Sequence, residues 1–255
     1  MSIPSFSLAG QVAVVTGGRR GIGRAIALAF AEAGADVAIC DCIVEGGELE
    51  AVAEEIQGLG QRSLSIYADV SQKTDVDNVV QKVVDEFGAI DILVNNAGIL
   101  ISAPILEMAE AEWDKVINID LKGYFLCSQA VGKRMVEQNK GSIINIASQS
   151  AFRTVKERGA YSIAKAGVVM LTRLLARELG SYNIRANAIA PGLVMTEMGR
   201  PTWSNPEKLK QREAVIPLGR VAETGDIIGT ALFLASDASS YVSGHTIVAG
   251  GGELA

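Results

Sequence analysis

An alternation runs through the whole chain and constrains its fold more than any single residue. Short β-branched runs are each followed by a longer stretch with helical spacing. VAVVTG (12–17) precedes GIGRAIALAFAEAG (21–34), where Ile22, Ile26, Ala29 and Phe30 share a helical face and Gly34 supplies a stop. DVAIC (36–40), RSLSIYADV (62–70), DILVNN (91–96), GSIINIAS (141–148), IRANAIAP (184–191) and HTIVAG (245–250) read as six further strands. Helical stretches lie between them at 45–57, 74–87, 109–138, 159–180 and 224–235. Strands apolar on both faces and separated by helices predict an α/β fold with a doubly wound, seven-stranded parallel sheet.

The 255 residues, 49% of them apolar, suffice for one sizeable core. Neither a Pro/Ser-rich linker nor a repeat divides the chain, so residues 1–255 read as a single domain. The polar insertion at 193–222 is too long for an ordinary connection and reads as a substrate lid. With 23 basic against 29 acidic residues the net charge is −6, which argues against nucleic acid or an anionic membrane as partner. No apolar run approaches the ~20 residues that cross a bilayer. Cys40, Cys42 and Cys127 lack metal-ligand spacing, and no metal is expected. Cys40 and Cys42 read as small apolar residues on the same side of a strand. No Lys or Arg precedes Arg19, so the basic start of a signal peptide is missing, and a reducing cytoplasm is expected.

TGGRRGIG (16–23) follows the first strand and opens the first helix. There Gly17 would permit a tight turn, Gly21 would let the backbone approach a phosphate, and Gly23 would let the helix pack closely. A pyrophosphate would rest on the free N–H groups of the helix start. Asp41, just after the second strand, suits the ribose 2′-OH of NAD and would repel the 2′-phosphate of NADP. Arg19 and Arg20 pull the other way, but the carboxylate weighs more, and NAD is expected over NADP.

In combination these stretches resemble the short-chain dehydrogenase/reductase family over nearly the whole chain, from Gly10 to about Gly252. TGGRRGIG resembles its glycine turn, NNAG (95–98) its fourth-strand motif, and YSIAK (161–165) its Tyr-x-x-x-Lys. Ser148 stands where the family places its serine, and Asn118 in INIDLKG (117–123) is matched to the family's catalytic asparagine. PGLVMT (191–196) resembles the segment that holds the nicotinamide. The resemblance implies a Rossmann fold with Asn118, Ser148, Tyr161 and Lys165 as catalytic residues. It implies a cofactor held by Gly17, Arg20, Gly21, Ile22, Gly23, Asp41, Asp69, Val70, Asn95, Ala97, Gly98, Tyr161, Lys165, Pro191, Gly192, Val194 and Thr196. Within that set, Asp69 and Val70 would meet the adenine, Asn95 would brace the sheet beside the cofactor, and Thr196 would meet the carboxamide.

The chemistry accounts for the Tyr–Lys spacing. Hydride exchange between an alcohol and NAD needs a proton moved at the alcohol oxygen. A free phenol titrates near pH ~10, and bringing it to ~7 takes about 4 kcal/mol of preference for the phenolate. One helical turn puts Lys165 on the face of Tyr161, where an ammonium favours that form. Ser148 would orient the substrate oxygen, Lys165 would also grip the nicotinamide ribose, and Asn118 would support a water on the proton path.

The substrate pocket is expected between 149–159, the residues after Ile99, and 198–220. Arg153, Lys156 and Arg158 read either as contacts for an acidic substrate or as a solvated loop. Phe152, Met195, Met198 and Trp203 either line the pocket or pack the lid. The expected function is an NAD(H)-dependent oxidoreductase that interconverts a secondary alcohol and a ketone. The rivals are an NADPH-dependent 3-oxoacyl thioester reductase and a catalytically idle nucleotide-binding regulator. A homotetramer is implied, with the helices at 109–138 and 159–180 paired across two-fold axes and the strand around His245 as another contact.

Overall fold

The computed structural model describes residues 5–255. Seven parallel strands form one sheet in the order β3-β2-β1-β4-β5-β6-β7. They are β1 (Val12–Thr16), β2 (Asp36–Asp41), β3 (Ser63–Tyr67), β4 (Ile92–Asn95), β5 (Gly141–Ile146), β6 (Ile184–Pro191) and β7 (Thr246–Ala249). The expected doubly wound sheet is therefore the observed one.

The period of two along β1 divides the core. Ala13 and Val15 face one layer, with Phe30, Leu49, Ile56 and Leu234, while Val12 and Val14 face the other, with Val79, Val83, Leu126 and Met135. The first layer is covered by α1 (Gly21–Glu32), α2 (Glu48–Gly58) and α9 (Gly225–Ala235). The second is covered by α3 (Lys73–Phe87) and α5 (Gly123–Gln138). Because β1 is followed outward by β2 and β3, and the chain then crosses to β4, strand order reverses between β1 and β4. A crevice opens at the carboxyl ends of the strands at such a reversal, and that is where ligands sit in open α/β sheets.

The stretch expected as one helix at 109–138 is interrupted. α4 (Glu110–Ile117) passes into a π-helical turn, Asn118–Lys122, before α5 resumes. Such a turn inserts a residue into the helical ladder, re-aims the side chains around it, and recurs at functional sites. α6 (Gly159–Leu179) runs beside it and delivers Tyr161 and Lys165 from its first turns.

The insertion after β6 holds α7 (Arg200–Trp203) and α8 (Pro206–Glu213). Asn205 caps α8, its side-chain oxygen accepting from the Glu207 and Lys208 amides. Trp203 Nε1 donates to the Thr196 carbonyl at 2.8 Å, which ties α7 to the end of β6.

The cysteine expectation needs correcting. Cys40 lies buried in β2, but Cys42 falls beyond the strand and is exposed, so the two do not share a face. Among the described residues all three cysteines are free, no helix is long and apolar enough to cross a membrane, and no cluster of side chains could hold a metal ion.

Candidate functional site

The glycine turn closes between β1 and α1. Gly17 has φ +65°, a conformation that glycine adopts without strain. A Cβ on Gly23 would stand 2.2 Å from the Gly17 carbonyl oxygen, so any side chain there would open the turn. Asn96 clamps the same turn: its Nδ2 donates to the carbonyls of Thr16 and Gly17 at 2.9 and 3.1 Å. Thr16 Oγ1 accepts from the amides of Asn96 and Ala97, each at 3.0 Å. A Cβ on Gly21 would stand 3.3 Å from Thr196, so the bare backbone of Gly21 leaves a cradle between the start of α1 and the end of β6. That cradle, with free amides at its base, suits the diphosphate of a dinucleotide.

Asn95 does not face this cradle. Its Nδ2 donates to Ser128 Oγ at 3.0 Å and to Asn145 Oδ1 at 2.8 Å, and Asn145 donates on to Thr172. Its buried amide ties β4 to β5 and to α5, and the adjacent Asn96 lines the cleft instead. Asn95 thus makes the sheet brace expected of it, and of the two neighbours it is Asn96 that faces the cleft. The two neighbours point to opposite faces of the strand, and the NNAG motif leaves the choice between them open.

Asp41 sits at the end of β2, and its Oδ1 accepts from the Ile43 amide at 3.1 Å. Arg19, expected as a possible phosphate contact, is buried and folded back: its Nε lies 3.8 Å from Asp41, and its Nη1 pairs with Glu48 on α2. Arg20 is exposed. At the end of β3, Asp69 is half-buried and accepts from the Ser71 amide at 2.9 Å, while Val70 packs beneath Gly123 of α5.

Ser148, Tyr161 and Lys165 are buried and line one cleft of about 200 Å³. Ile22, Gly98, Pro191, Gly192, Val194 and Thr196 line it too, so six of the expected cofactor contacts meet the expected catalytic residues in one place. The Lys165 ammonium donates to the Tyr124 hydroxyl at 3.0 Å and to the Ile146 carbonyl at 3.1 Å. It also lies 3.2 Å from Asp120 Oδ2, as half of a fully buried ion pair.

Asp120 corrects the reading of Asn118. Asn118 makes no side-chain hydrogen bond among the described residues, whereas Asp120, two positions on, is completely buried against Lys165 and accepts from the Ile99 amide at 2.8 Å. Two positions along a helix turn a side chain to roughly the opposite face, and the π turn fixes which of the two looks at Lys165. The lysine's companion is therefore a carboxylate. Gly98 makes room for it, since a Cβ there would come within 2.7 Å of Asp120 Oδ2.

The electrostatics follow from this pairing. Burial pushes the Tyr161 phenol above its ordinary value, and Lys165 pulls it back down. Asp120 and Tyr124 push it up again, while a hydrogen bond with Ser148 lowers it. Lys165 thus does not outweigh burial, contrary to the expectation of a phenol brought near neutrality. Burial also raises the Asp120 carboxyl, against the pull of Lys165. Tyr124, whose hydroxyl donates to the Ile146 carbonyl at 3.0 Å, was not legible in the sequence because no motif marks it.

The mouth of the cleft is cationic. Arg153 and Arg158 line it from the loop before α6, and Arg212 lines it from α8, while Lys156 is exposed and outside it. Met198 lines the cleft as well; Phe152 and Met195 are exposed, and Trp203 is held by its bond to the Thr196 carbonyl. His245 is exposed just before β7 and takes no part.

A family model described as enoyl-(acyl carrier protein) reductase matches residues 17–253. The chain is 41% identical, over 100% of both chains, to a 2-dehydro-3-deoxy-D-gluconate 5-dehydrogenase of Escherichia coli (strain K12). It is 43% identical to a 3-oxoacyl-(acyl-carrier-protein) reductase of Staphylococcus epidermidis (strain ATCC 12228 / FDA PCI 1200), over 94% of this chain and 97% of the relative. A gluconate 5-dehydrogenase of Burkholderia cenocepacia J2315, solved in complex with NADP and tartrate, superposes with a TM-score of 0.94 at 33% identity, covering 100% of this chain and 99% of that one. Similarity that extends from end to end, in sequence and in fold alike, goes well beyond the few motifs around the cleft: the chain belongs to the short-chain dehydrogenase/reductase family, whose members are oxidoreductases.

Proposed function

We propose that the protein interconverts a secondary alcohol and its ketone with NAD(H), using Tyr161 as the acid/base. The observation that carries this reading is the burial of Ser148, Tyr161 and Lys165 together in one cleft, next to a glycine turn shaped for a dinucleotide. Bound nicotinamide would accept or supply the hydride. The chain's own residues handle the proton. Ser148 holds the substrate oxygen beside Tyr161, whose phenolate takes the alcohol proton in oxidation and whose phenol returns it in reduction. Lys165 stabilises the phenolate from inside the protein, and Asp120 and Tyr124 hold the ammonium in place. Gly17, Arg20, Gly21, Ile22, Gly23, Asn96, Ala97 and Gly98 would hold the dinucleotide on one side, and Pro191, Gly192, Val194 and Thr196 on the other, with Asp69 and Val70 at the adenine end.

The preference for NAD rests on Asp41. Arg19 is already engaged by Asp41 and Glu48, which leaves the exposed Arg20 as the remaining cation of the turn. A 2′-phosphate would therefore meet the carboxylate before it met a free guanidinium. Neighbouring structures carry NADP and speak for the other cofactor, so the NAD preference rests on Asp41.

A second reading, reduction of a 3-oxoacyl thioester with NADPH, is supported by the similarity to the Staphylococcus enzyme. One assay separates them: polyols, hydroxy acids and acetoacetyl-CoA, each with NAD(H) and NADP(H), followed by the absorbance of the reduced nicotinamide. Turnover of a secondary alcohol with NAD supports the first reading. Turnover of acetoacetyl-CoA alone, with NADPH, replaces it by the second. Turnover of nothing, with the dinucleotide still bound, would favour the idle regulator.

A further inference from the structure

Two of the three arginines at the mouth of the cleft share one carboxylate. Glu253, near the C-terminus, is almost wholly buried, with 2% of its side chain exposed. It lies 2.6 Å from Arg153 Nη2 and 2.7 Å from Arg212 Nη2, and also accepts from Gln149 Nε2 at 2.6 Å. Arg158, half-buried in the same wall, donates no side-chain hydrogen bond and pairs with no carboxylate among the described residues. No Asp or Glu lines the cleft itself, and Lys165 is already neutralised by Asp120. The wall around Ser148 and Tyr161 therefore carries three guanidinium charges against one buried carboxylate.

A desolvated surplus of positive charge costs free energy unless something answers it. Crowding has a visible effect: burial first, then Arg212 and Arg153, lower the Arg158 pKa below the usual guanidinium range, with Tyr161 opposing them. A planar guanidinium with unused donors matches a carboxylate in a two-point fork. An apolar acyl chain would give those donors no partner other than water.

We infer that the substrate is a hydroxy acid or oxo acid whose carboxylate is bound by Arg158, with Glu253 positioning Arg153 and Arg212 around it. This deepens the proposed alcohol–ketone reading and rests on it. In this arrangement Glu253 ties the loop before α6 to α8 of the lid, so the anion also meets the part of the wall that covers the cleft.

The test uses matched probes: tartrate with dimethyl tartrate, and 4-oxopentanoate with its methyl ester, with inorganic phosphate as a separate anion. Calorimetric titration into the intact protein, holding NADH for the tartrate pair and NAD+ for the 4-oxopentanoate pair so that no hydride can pass, reads binding without turnover. Each acid is expected to bind at least about thirty-fold more tightly than its ester, and Arg158→Gln to remove most of that margin while moving the esters by less than about three-fold. Arg158→Lys, which keeps the charge but loses the fork, should fall between. Equal binding of acids and esters by the unmutated protein overturns the inference, as does an Arg158→Gln variant that keeps the margin. Phosphate binding as tightly as tartrate would overturn the carboxylate assignment. Turnover is read separately: acid binding without hydride transfer would leave the carboxylate site standing and count against the redox reading.

Discussion

Asp120 brings a negative charge to the place where the reaction's proton must be controlled. In the proposed reaction oxidation needs the Tyr161 phenolate, so its rate should climb as pH rises through the phenol's pKa, and Asp120 helps to hold that pKa up. Asp120→Asn removes the charge and keeps an oxygen for the Ile99 amide. The rise in kcat/KM for oxidation should then begin at lower pH, and reduction, which needs the phenol, should begin to fall at lower pH too. Profiles that coincide with wild type would detach Asp120 from the phenol. Asp120→Ala also leaves Lys165 buried without its counter-charge, and should lower unfolding stability by about 3 kcal/mol in denaturant titration. At the other end of the site, Asp41→Ala removes the proposed source of repulsion for a 2′-phosphate and releases Arg19 Nε, while Nη1 stays paired with Glu48. The expected NAD preference of at least about ten-fold in kcat/KM should narrow or reverse. A preference unchanged in the variant would place the discrimination elsewhere.

Among the elements, the segment from α4 to α5 decides how the site is built. Its helical character was legible from periodicity, but the π turn at Asn118–Lys122 was not, because one extra residue per turn leaves no compositional mark. That single irregularity separates Asn118, which the motif suggested, from Asp120, which meets Lys165. Tyr161 and Lys165 were legible because one helical turn sets their spacing, whereas Ser148 was reached through the family resemblance. The pairing of Arg153 with Glu253 was not legible, since it joins residues distant in sequence through side chains alone. The geometry also sets a sharp expectation for the loop after β4. Gly98→Ala would press a methyl group against Asp120, displacing the carboxylate and with it Lys165. Turnover should fall by about ten-fold or more with the secondary structure intact, read by steady-state kinetics and circular dichroism. Full activity in this variant would mean that the ion pair tolerates displacement.

At the scale of the whole molecule, α6 leaves an apolar stripe uncovered. Ile163, Met170 and Leu174 are each about half exposed on one face, and Phe125 of α5 is 45% exposed. Of the small residues on α6, Ala164 is buried and Gly167 packs on Leu121 inside the protomer, leaving Ala166 on the outer face. We propose that the stripe is covered by a second copy in a homotetramer. Light scattering at micromolar concentration should return a tetramer mass, and Met170→Glu should reduce it to a dimer or monomer. A monomeric wild type would contradict this.

The central claim, that Tyr161 moves the proton in a nicotinamide-dependent reaction at an alcohol carbon, comes down to one comparison. Wild type and Tyr161→Phe are assayed on the best substrate by the absorbance of the reduced nicotinamide, with cofactor affinity measured alongside by calorimetry. The phenylalanine variant should lose about a thousand-fold or more in kcat while binding the cofactor within about three-fold of wild type. A variant that keeps a tenth or more of the wild-type rate would contradict the account.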